Sequence, residues 1–332
     1  MGGRADGIGA TRKYARAALS THLLTPQMAG VLDRIRRAAR PPFHSLAPAA
    51  ARAAYEAASE VLDLPRAPLA RVQDLQLPGG DGALRPARFY ACSDVPAPGL
   101  LYLHGGGFVI GSLETHDSLC RQLALRSGRT VVALDYRLAP EHRFPAAVDD
   151  AWAALQALAA EPARYGLAAA PLVVAGDSAG GTLAAVCALL ARDHGMRLAL
   201  QLLITPGTAA LADTPSHRLF GHGFLLDREA IAWFFSHYIA RNDRHDWRFA
   251  PLEAADVDGV APAAFILAEC DPLVDEGLAY ADRLRAAGVP VQLEPVRGVT
   301  HDFIKMGRVL KEAGVALDCA AEALKSTIRE HS

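Results

Sequence analysis

The chain has 332 residues, of which 51% are hydrophobic and 21% charged, and its formal net charge at pH 7 is −2. This composition favours a large buried core and argues against disorder. The near-neutral charge argues against a nucleic-acid partner, which would need a basic face. No apolar run reaches the roughly 18 residues of a membrane-spanning helix, so no membrane association is expected.

The first 24 residues are basic and rich in small side chains, but they lack the apolar centre of a secretory signal. We therefore expect residues 1–24 to be a poorly ordered leader and the protein to be cytoplasmic. Scattered cysteines without metal-ligand spacing favour reduced thiols and no bound metal. These cysteines are Cys92, Cys120, Cys187, Cys270 and Cys319.

Residues 25–64 have the apolar period of helices, interrupted at Pro41 and Pro42. The pattern predicts two helices before the first strand. Their expected buried faces are Met28, Leu32, Ile35 and Ala39 in the first helix, and Ala51, Ala54, Tyr55 and Ala58 in the second.

A hairpin and a series of parallel strands follow. Arg71–Leu77 and Leu84–Tyr90 alternate with period two around a glycine-rich turn, which predicts an antiparallel pair. Short apolar runs then alternate with helical patterns, as in parallel strands covered on both faces. The runs are Leu100–Leu103, Thr130–Leu134, Leu172–Ala175, Leu198–Ile204, Ala264–Ala268 and Val291–Pro295. We predict an α/β fold with an eight-stranded, mostly parallel sheet formed by residues 65–206 and 251–332.

The alternation fails over residues 207–250, where Gly, Pro and His cluster before an amphipathic helix that begins near Asp227. We predict that this insertion and the helices of residues 25–64 form a cap over the strand ends. The apolar face of the inserted helix is expected to be Ile231, Phe234, Phe235, Tyr238 and Ile239.

Ser178 lies in Gly-Asp-Ser-Ala-Gly, residues 176–180, between a predicted strand and a predicted helix. A serine between glycines at such a strand-to-helix turn is typical of an exposed nucleophile. Its hydroxyl reacts only when a base removes the proton, and the base needs an orienting carboxylate. In a fold with this turn, the acid and then the histidine come later in the chain.

Asp271 follows the seventh predicted strand, at the sheet edge where α/β sites form. Asp275 is the main alternative, although it and Glu276 also suit the first turn of a helix. His301 follows the last strand, and the only later histidine, His331, is the penultimate residue. A histidine base predicts activity that rises with pH through about 6–7.

His104, Gly105, Gly106 and Gly107 follow the third predicted strand. Consecutive glycines allow backbone amides to approach a ligand oxygen, and this motif contributes to the oxyanion hole of lipases and esterases. Phosphate binding is less favoured because no Gly-Lys-Ser/Thr sequence follows.

Together with residues 135–141 and the Asp-Pro-Leu that begins at Asp271, these motifs resemble the bacterial hormone-sensitive-lipase-like carboxylesterases of the α/β-hydrolase fold, with their Gly-Asp-Ser-Ala-Gly serine motif. The resemblance implies an esterase for short acyl chains that needs no cofactor or metal, and dimers are common among relatives. It also implies roles for particular residues: Ser178, Asp271 and His301 in catalysis, the amides of Gly106, Gly107 and Ala179 in the oxyanion hole, and His104 and Gly105 in support of that loop.

The chain departs from the family at Asp302, where glycine often follows the catalytic histidine. Asp302 either caps the C-terminal helix or adds a negative charge that raises the pKa of His301.

Five phenylalanines near the motifs or in the predicted cap are candidate walls of the substrate pocket, with ordinary core packing as the alternative for each. They are Phe43, Phe108, Phe220, Phe224 and Phe303. The same catalytic groups would also serve an amidase, an aryl-formamidase or a lactonase. A non-catalytic small-molecule receptor on this fold is a less favoured alternative.

Overall fold

An eight-stranded sheet organises the computed structural model, which describes residues 21–329. The strands lie in the spatial order β1-β2-β4-β3-β5-β6-β7-β8, antiparallel from β1 to β4 and parallel beyond. Both the predicted α/β fold and the predicted mostly parallel sheet are confirmed. The strands are β1 (Arg71–Pro78), β2 (Leu84–Ala91), β3 (Gly99–Leu103), β4 (Thr130–Leu134), β5 (Leu172–Asp177), β6 (Leu198–Ile204), β7 (Ala263–Ala268) and β8 (Val291–Val296).

Nine α-helices occur within residues 21–329, and none of them is long and apolar enough to cross a membrane. The predicted leader lies mostly outside the described residues, and only its end, Thr21–Leu23, is seen as a 3₁₀ turn. The helices are α1 (Pro26–Ala38), α2 (Pro48–Leu62), α3 (Asp117–Ser127), α4 (Ala146–Ala160), α5 (Ala179–Asp193), α6 (Pro215–Phe220), α7 (Arg228–Tyr238), α8 (Val274–Ala286) and α9 (Lys311–Arg329).

The predicted break between the first two helices is confirmed, but the predicted buried face of α1 is partly wrong. Met28 is buried and Leu32 is half-buried, whereas Ile35 is 44% exposed and Ala39 is exposed. Val31, which the prediction left out, is buried instead. Helix α1 ends at Ala38 because Ala39 adopts a left-handed conformation with φ 47°. The last turn of the helix, which carries Ile35, therefore lies outside the core.

The inserted helix α7 begins directly after Asp227, as predicted. The Asp227 carboxylate accepts a hydrogen bond from the Gly223 amide at 2.9 Å instead of capping its own helix. Four members of the predicted apolar face are buried and Phe235 is half-buried.

The core lies on both faces of the sheet because successive strand side chains point in opposite directions. On β3, Leu101 and Leu103 belong to the apolar cluster that includes residues of α4, α5 and α8. Leu100 and Tyr102 belong to the opposite cluster, which includes residues of α3 and α9. The carboxyl ends of the parallel strands lie along the same side of the sheet. The loops that follow β3, β5, β7 and β8 therefore lie next to one another there.

Asp150, on α4, joins the hairpin to the rest of the domain. Its buried carboxylate accepts hydrogen bonds from the Gly80 amide at 2.9 Å and from the Arg85 Nε at 3.1 Å. It also accepts bonds from Arg137, whose Nε and Nη2 each lie 2.8 Å away. Burial alone would raise the pKa of Asp150, but the hydrogen bonds from Arg137, Gly80 and Arg85 hold it below the ordinary value.

We expect Asp150→Asn to lower the free energy of unfolding at pH 7 by about 3 kcal/mol, since it removes the charged partner of two partly buried arginines. The folded-state pKa of Asp150 is lowered, so its stabilisation is present above the unfolded-state pKa and is lost as pH falls through the folded-state value. The deficit of the variant, measured by urea denaturation, should therefore shrink in acid.

The matched control is Asp149→Asn, which changes the same side chain one position earlier, where it is exposed. A change within about 0.5 kcal/mol is expected there. Equal effects of the two substitutions would contradict the assigned role of Asp150.

Candidate active site

Ser178 occupies a sharp turn between β5 and α5. Its backbone has φ 52° and ψ −122°, a conformation that residues with a side chain seldom adopt. A hydrogen bond of 2.8 Å from the Ser178 amide to the Ile204 carbonyl ties the turn to the end of β6. The side chain is half-buried at the sheet edge.

Gly180 explains why the turn needs glycine. A Cβ at this position would overlap the carbonyl oxygens of Leu103 and His104 at the end of β3. Gly176 is similarly crowded, because its added Cβ would overlap the backbone of Gly180. Both glycines therefore allow β5, α5 and the end of β3 to approach closely.

His301 contacts both Ser178 and Asp271. Its Nε2 lies 2.9 Å from Ser178 Oγ, and its Nδ1 lies 2.7 Å from Asp271 Oδ2. The other oxygen of Asp271 accepts the Leu273 amide at 2.9 Å, which fixes the orientation of the carboxylate. His301 and Asp271 are buried.

The structure does not bring Asp275, the main alternative acid, to His301. Asp275 lies in the first turn of α8, where its Oδ2 accepts the Ser216 amide at 2.8 Å. The other late histidine, His331, lies outside the described residues.

The pKa of His301 reflects opposing effects. Burial lowers it, but the charge and hydrogen bond of Asp271 and the charges of Asp302 and Asp177 raise it to about 9. These charges move the expected rise of activity to higher pH than the 6–7 of an ordinary imidazole.

Asp302 does not cap the C-terminal helix, so that alternative is wrong. It begins the short 3₁₀ turn Phe303–Lys305, whereas α9 starts at Lys311. Its Oδ1 lies 3.9 Å from His301 Nε2, so the second alternative, an added charge beside the imidazole, fits the geometry.

The glycine loop after β3 faces the turn at Ser178. Gly106 and Gly107 have φ 121° and 59°, and a Cβ on them would overlap Ile110 and Phe234 respectively. Among the turn, loop and cap hydrogen bonds of the described residues, none is donated by the amides of Gly106, Gly107 or Ala179. These three donors are free to serve a ligand oxygen.

Asp177 fixes this loop, a role that the sequence analysis missed. Its Oδ1 accepts hydrogen bonds from Tyr102 Oη at 2.6 Å and from the Gly105 amide at 3.0 Å, while its Oδ2 lies 3.2 Å from His116 Nε2. Burial would raise the pKa of Asp177, but the charge and hydrogen bond of His116, with Lys305 and Tyr102, hold it below its ordinary value.

The buried ring of His104 supports the same loop. Its Nδ1 lies 2.8 Å from the Gly105 carbonyl oxygen, and the ring stacks on Tyr136 with centroids 4.3 Å apart. Burial, with the charge of His116, lowers the pKa of His104 to about 3, so the ring is neutral. His116 could not be identified from a local motif, because its partner Asp177, at the end of β5, is 61 residues away in the chain.

The five candidate phenylalanines occupy different environments. Phe303 is fully buried in the α3–α9 core, which supports the packing alternative there. Phe108 stacks on Tyr238 with centroids 4.0 Å apart, and Phe43 packs edge-on against Tyr55 at 5.9 Å. Phe220 and Phe224 form their own small buried cluster with Cys270. Phe234, which covers Gly107, is a further aromatic neighbour of the loop.

Within residues 21–329, no group of three His, Cys, Asp or Glu side chains is arranged to hold a metal ion.

Comparison with known proteins places these features in context. A family model described as the alpha/beta hydrolase fold matches residues 100–305. An ethyl acetate hydrolase from Pseudomonas putida is 43% identical over 291 residues, which cover 86% of this chain and 92% of that protein. The resemblance predicted from the motifs is thus confirmed at the level of the family.

Solved structures agree. An ester hydrolase from the metagenome of Lake Arreo, in complex with a bipyridine phosphonate derivative, has a TM-score of 0.87 at 38% identity, over 92% of this chain and 99% of that chain. An esterase from Pyrobaculum calidifontis has a TM-score of 0.85 at 37% identity, with the same coverage of both chains.

We expect Gly180→Ala to lower the free energy of unfolding by about 3 kcal/mol, since the added methyl group meets rigid backbone at the end of β3. Gly30→Ala is the matched control, because Gly30 also lies in a helix but has no atom within 4 Å of an added Cβ. The control should gain about 0.5 kcal/mol from reduced backbone entropy. Urea denaturation measures both, and a stable Gly180→Ala would contradict the close approach.

Proposed function

The chain belongs to the α/β-hydrolase family, and we propose that it hydrolyses short-acyl carboxylic esters with Ser178 as nucleophile. The observation that carries the proposal is the continuous series of contacts from Asp271 through His301 to Ser178. These three groups have the types and the order that a serine nucleophile, its base and an orienting acid require.

In the first step, Ser178 Oγ attacks the ester carbonyl carbon while its proton passes to His301 Nε2. The electrons of the carbonyl bond move to its oxygen, and the amides of Gly106, Gly107 and Ala179 stabilise this oxyanion. The intermediate then collapses, the bond to the alcohol oxygen breaks, and that oxygen takes the proton from Nε2. A single donor of this kind is worth about 3 kcal/mol in a comparable site.

In the second step, water attacks the acyl-enzyme while its proton passes to His301 Nε2. Collapse of this intermediate releases the carboxylic acid and returns the proton to Ser178. Asp271 holds the Nδ1 proton and stabilises the imidazolium that forms in both steps, without taking the proton itself.

Aromatic side chains from two segments lie near the glycine loop and support a preference for short acyl chains. Two side chains of helix α7, in the segment 207–250, pack against the glycine loop and the residue after it. Phe234 packs against Gly107, and Tyr238 stacks on Phe108. The turn at Phe43, between α1 and α2, packs against Tyr55. We propose that the segments 25–64 and 207–250 form the cap and that these aromatic side chains restrict the acyl side. The ethyl acetate hydrolase relative favours the same class of small ester.

The relatives also favour an ester over an amide, a formamide or a lactone, because those reported above are named ester hydrolases or esterases. A panel of acetate, butyrate and long-chain esters, with matched amide, formanilide and lactone substrates, tests the substrate class. Faster hydrolysis of long-chain triglyceride than of butyrate would contradict the short-acyl preference.

We expect Ser178→Ala to lower turnover of p-nitrophenyl butyrate by about 10⁶-fold, the scale found for other serine nucleophiles. Ser93→Ala, which removes an exposed hydroxyl from the loop after β2, should leave turnover unchanged. Retention of most activity by a folded Ser178→Ala protein would refute the nucleophile assignment.

We expect kcat/KM for a neutral ester to rise with pH, with a midpoint well above the ordinary imidazole value and toward about 9. The neighbouring carboxylates stabilise the imidazolium, so the base becomes free only at higher pH. Asp271→Asn should move this midpoint to lower pH and reduce kcat by about 10⁴-fold, as for other catalytic aspartates. A midpoint that Asp271→Asn leaves in place would argue against the assigned acid.

A further inference from the structure

The Asp302 carboxylate lies on the reactive side of His301. Its Oδ1 is 3.9 Å from Nε2, the nitrogen that also contacts Ser178 Oγ at 2.9 Å. Asp271 contacts the opposite nitrogen, Nδ1. The imidazole therefore stands between two carboxylates, and only Asp302 is on the side where bonds form and break in the proposed reaction.

Asp302 is also the more accessible of these groups. Its side chain is 29% exposed, whereas those of His301 and Asp271 are 6% and 1% exposed. The Asp302 carboxylate thus lies between the enclosed imidazole and solvent. Because Ser178 Oγ and Asp302 Oδ1 both lie near His301 Nε2, a group bound at Ser178 lies close to this charge.

No structural role accounts for the charge of Asp302. Across residues 22–328, no Lys or Arg nitrogen lies within ion-pair distance of its carboxylate. The side chain does not cap the turn that it begins, and the backbone is left-handed with φ 61°. Lys305, in the same turn, donates instead to Tyr55 Oη at 2.8 Å.

The charge of Asp302 acts on further titratable groups besides His301. Burial is the main cause that raises the pKa of Tyr55, and Asp302 is the next. Asp302 also acts to raise the pKa of His116, which burial lowers. Tyr55 of α2 and His116, whose ring centroids lie 6.4 Å apart, therefore belong with His301 to the groups that the charge of Asp302 affects.

In the proposed mechanism, His301 Nε2 gives its proton to the departing alcohol. The alcohol oxygen must then lie within hydrogen-bond distance of Nε2, and the rest of the alcohol portion extends outward from it. A charge on that portion would lie within several ångströms of Asp302, in a partly desolvated site where such pairs are only partly screened.

We propose that Asp302 is a specificity-determining residue, which makes the site favour esters of neutral or cationic alcohols over esters of anionic alcohols. The inference rests on the proposed ester hydrolysis and names the charge class of its substrates. Asp302 attracts a cationic alcohol portion and repels an anionic one.

The same carboxylate affects the pH profile. The titratable groups that act on His301 are Asp271 from the loop after β7, Asp177 from β5, Asp302 from its own loop and Glu276 from α8. Of these, Asp302 alone is not buried. Removal of its charge lowers the pKa of His301, so the rise of kcat/KM moves to lower pH.

The test compares pairs of acetate esters that differ mainly in charge. Acetylcholine and 3,3-dimethylbutyl acetate have the same shape, but only the first is cationic. Acetoxyacetate and isobutyl acetate form the anionic pair. The ratio of kcat/KM within each pair is measured for the wild-type protein, Asp302→Asn and Asp302→Glu. Asparagine keeps the shape and tolerates the left-handed backbone, and comparison between variants cancels the intrinsic reactivity of each ester.

We expect Asp302→Asn to lower the cationic-to-neutral ratio by about fivefold and to raise the anionic-to-neutral ratio by about fivefold, the size of a partly screened charge pair. Asp302→Glu should restore both ratios toward wild type. Asp282→Asn removes an equal charge from the exposed surface of α8 and should change neither ratio. The profile of Asp302→Asn on the neutral ester should also shift to lower pH, which a merely disturbed fold would not produce.

Two failures are distinguishable. Ratios that Asp302→Asn leaves unchanged, or that Asp282→Asn changes equally, would overturn the inference while the neutral esters are still hydrolysed. A wild-type protein that hydrolyses none of the neutral esters would overturn the proposed function instead.

Discussion

The close approach of Gly180 to the end of β3 is the constraint on which the site depends. Because no side chain separates them, the Ser178 turn and the glycine loop of residues 105–107 lie against each other. Asp177, the residue before the serine, accepts the Gly105 amide and so joins the two segments by a charged hydrogen bond as well. In the proposed mechanism, this double attachment keeps the amides that stabilise the oxyanion at a fixed distance from Ser178. Preorganised donors of this kind cost no reorganisation during reaction.

The carboxylates around His301 have opposite effects on two properties that the proposed reaction needs: a stable imidazolium and a resting imidazole that is free to accept a proton. Asp271, Asp177 and Asp302 all favour the imidazolium, the form that develops in the proposed reaction when Ser178 gives up its proton. The same carboxylates keep the resting ring protonated over a wider pH range, which reduces the fraction available as base. Burial opposes them, so the final pKa is a difference between large effects. Asp302 is the member of this set that is not buried.

The sequence was sufficient to predict every strand and the identity of the groups that meet at the sheet edge. Both are local signals: apolar runs that match a strand covered on both faces, and glycines where backbone must approach backbone. The predictions that were wrong or missing concern residues whose environment depends on the tertiary fold. Ile35 continues the apolar period of α1 but lies where the helix ends, and Asp302 precedes a 3₁₀ turn that composition does not mark. His116 contacts Asp177 only because the fold brings the loop after β3 next to the end of β5. Such contacts depend on tertiary placement, which one sequence does not specify.

The N-terminal helices are attached to the same loops that carry the reactive groups. Arg52 of α2 donates to the carbonyl oxygens of Val109 and Ala139 at 2.8 Å each, which binds the helix to the segment after the glycine loop. Tyr55, one turn later in α2, accepts a hydrogen bond at its Oη from the buried ammonium of Lys305, four residues beyond His301. Helix α2 thus contacts both the segment after the glycine loop and the turn after His301. A displacement of α2 would break contacts to both loops together, so the position of these helices and the geometry at Ser178 are coupled. The segment 25–64, which we propose as part of the cap, is therefore also attached to both loops of the site.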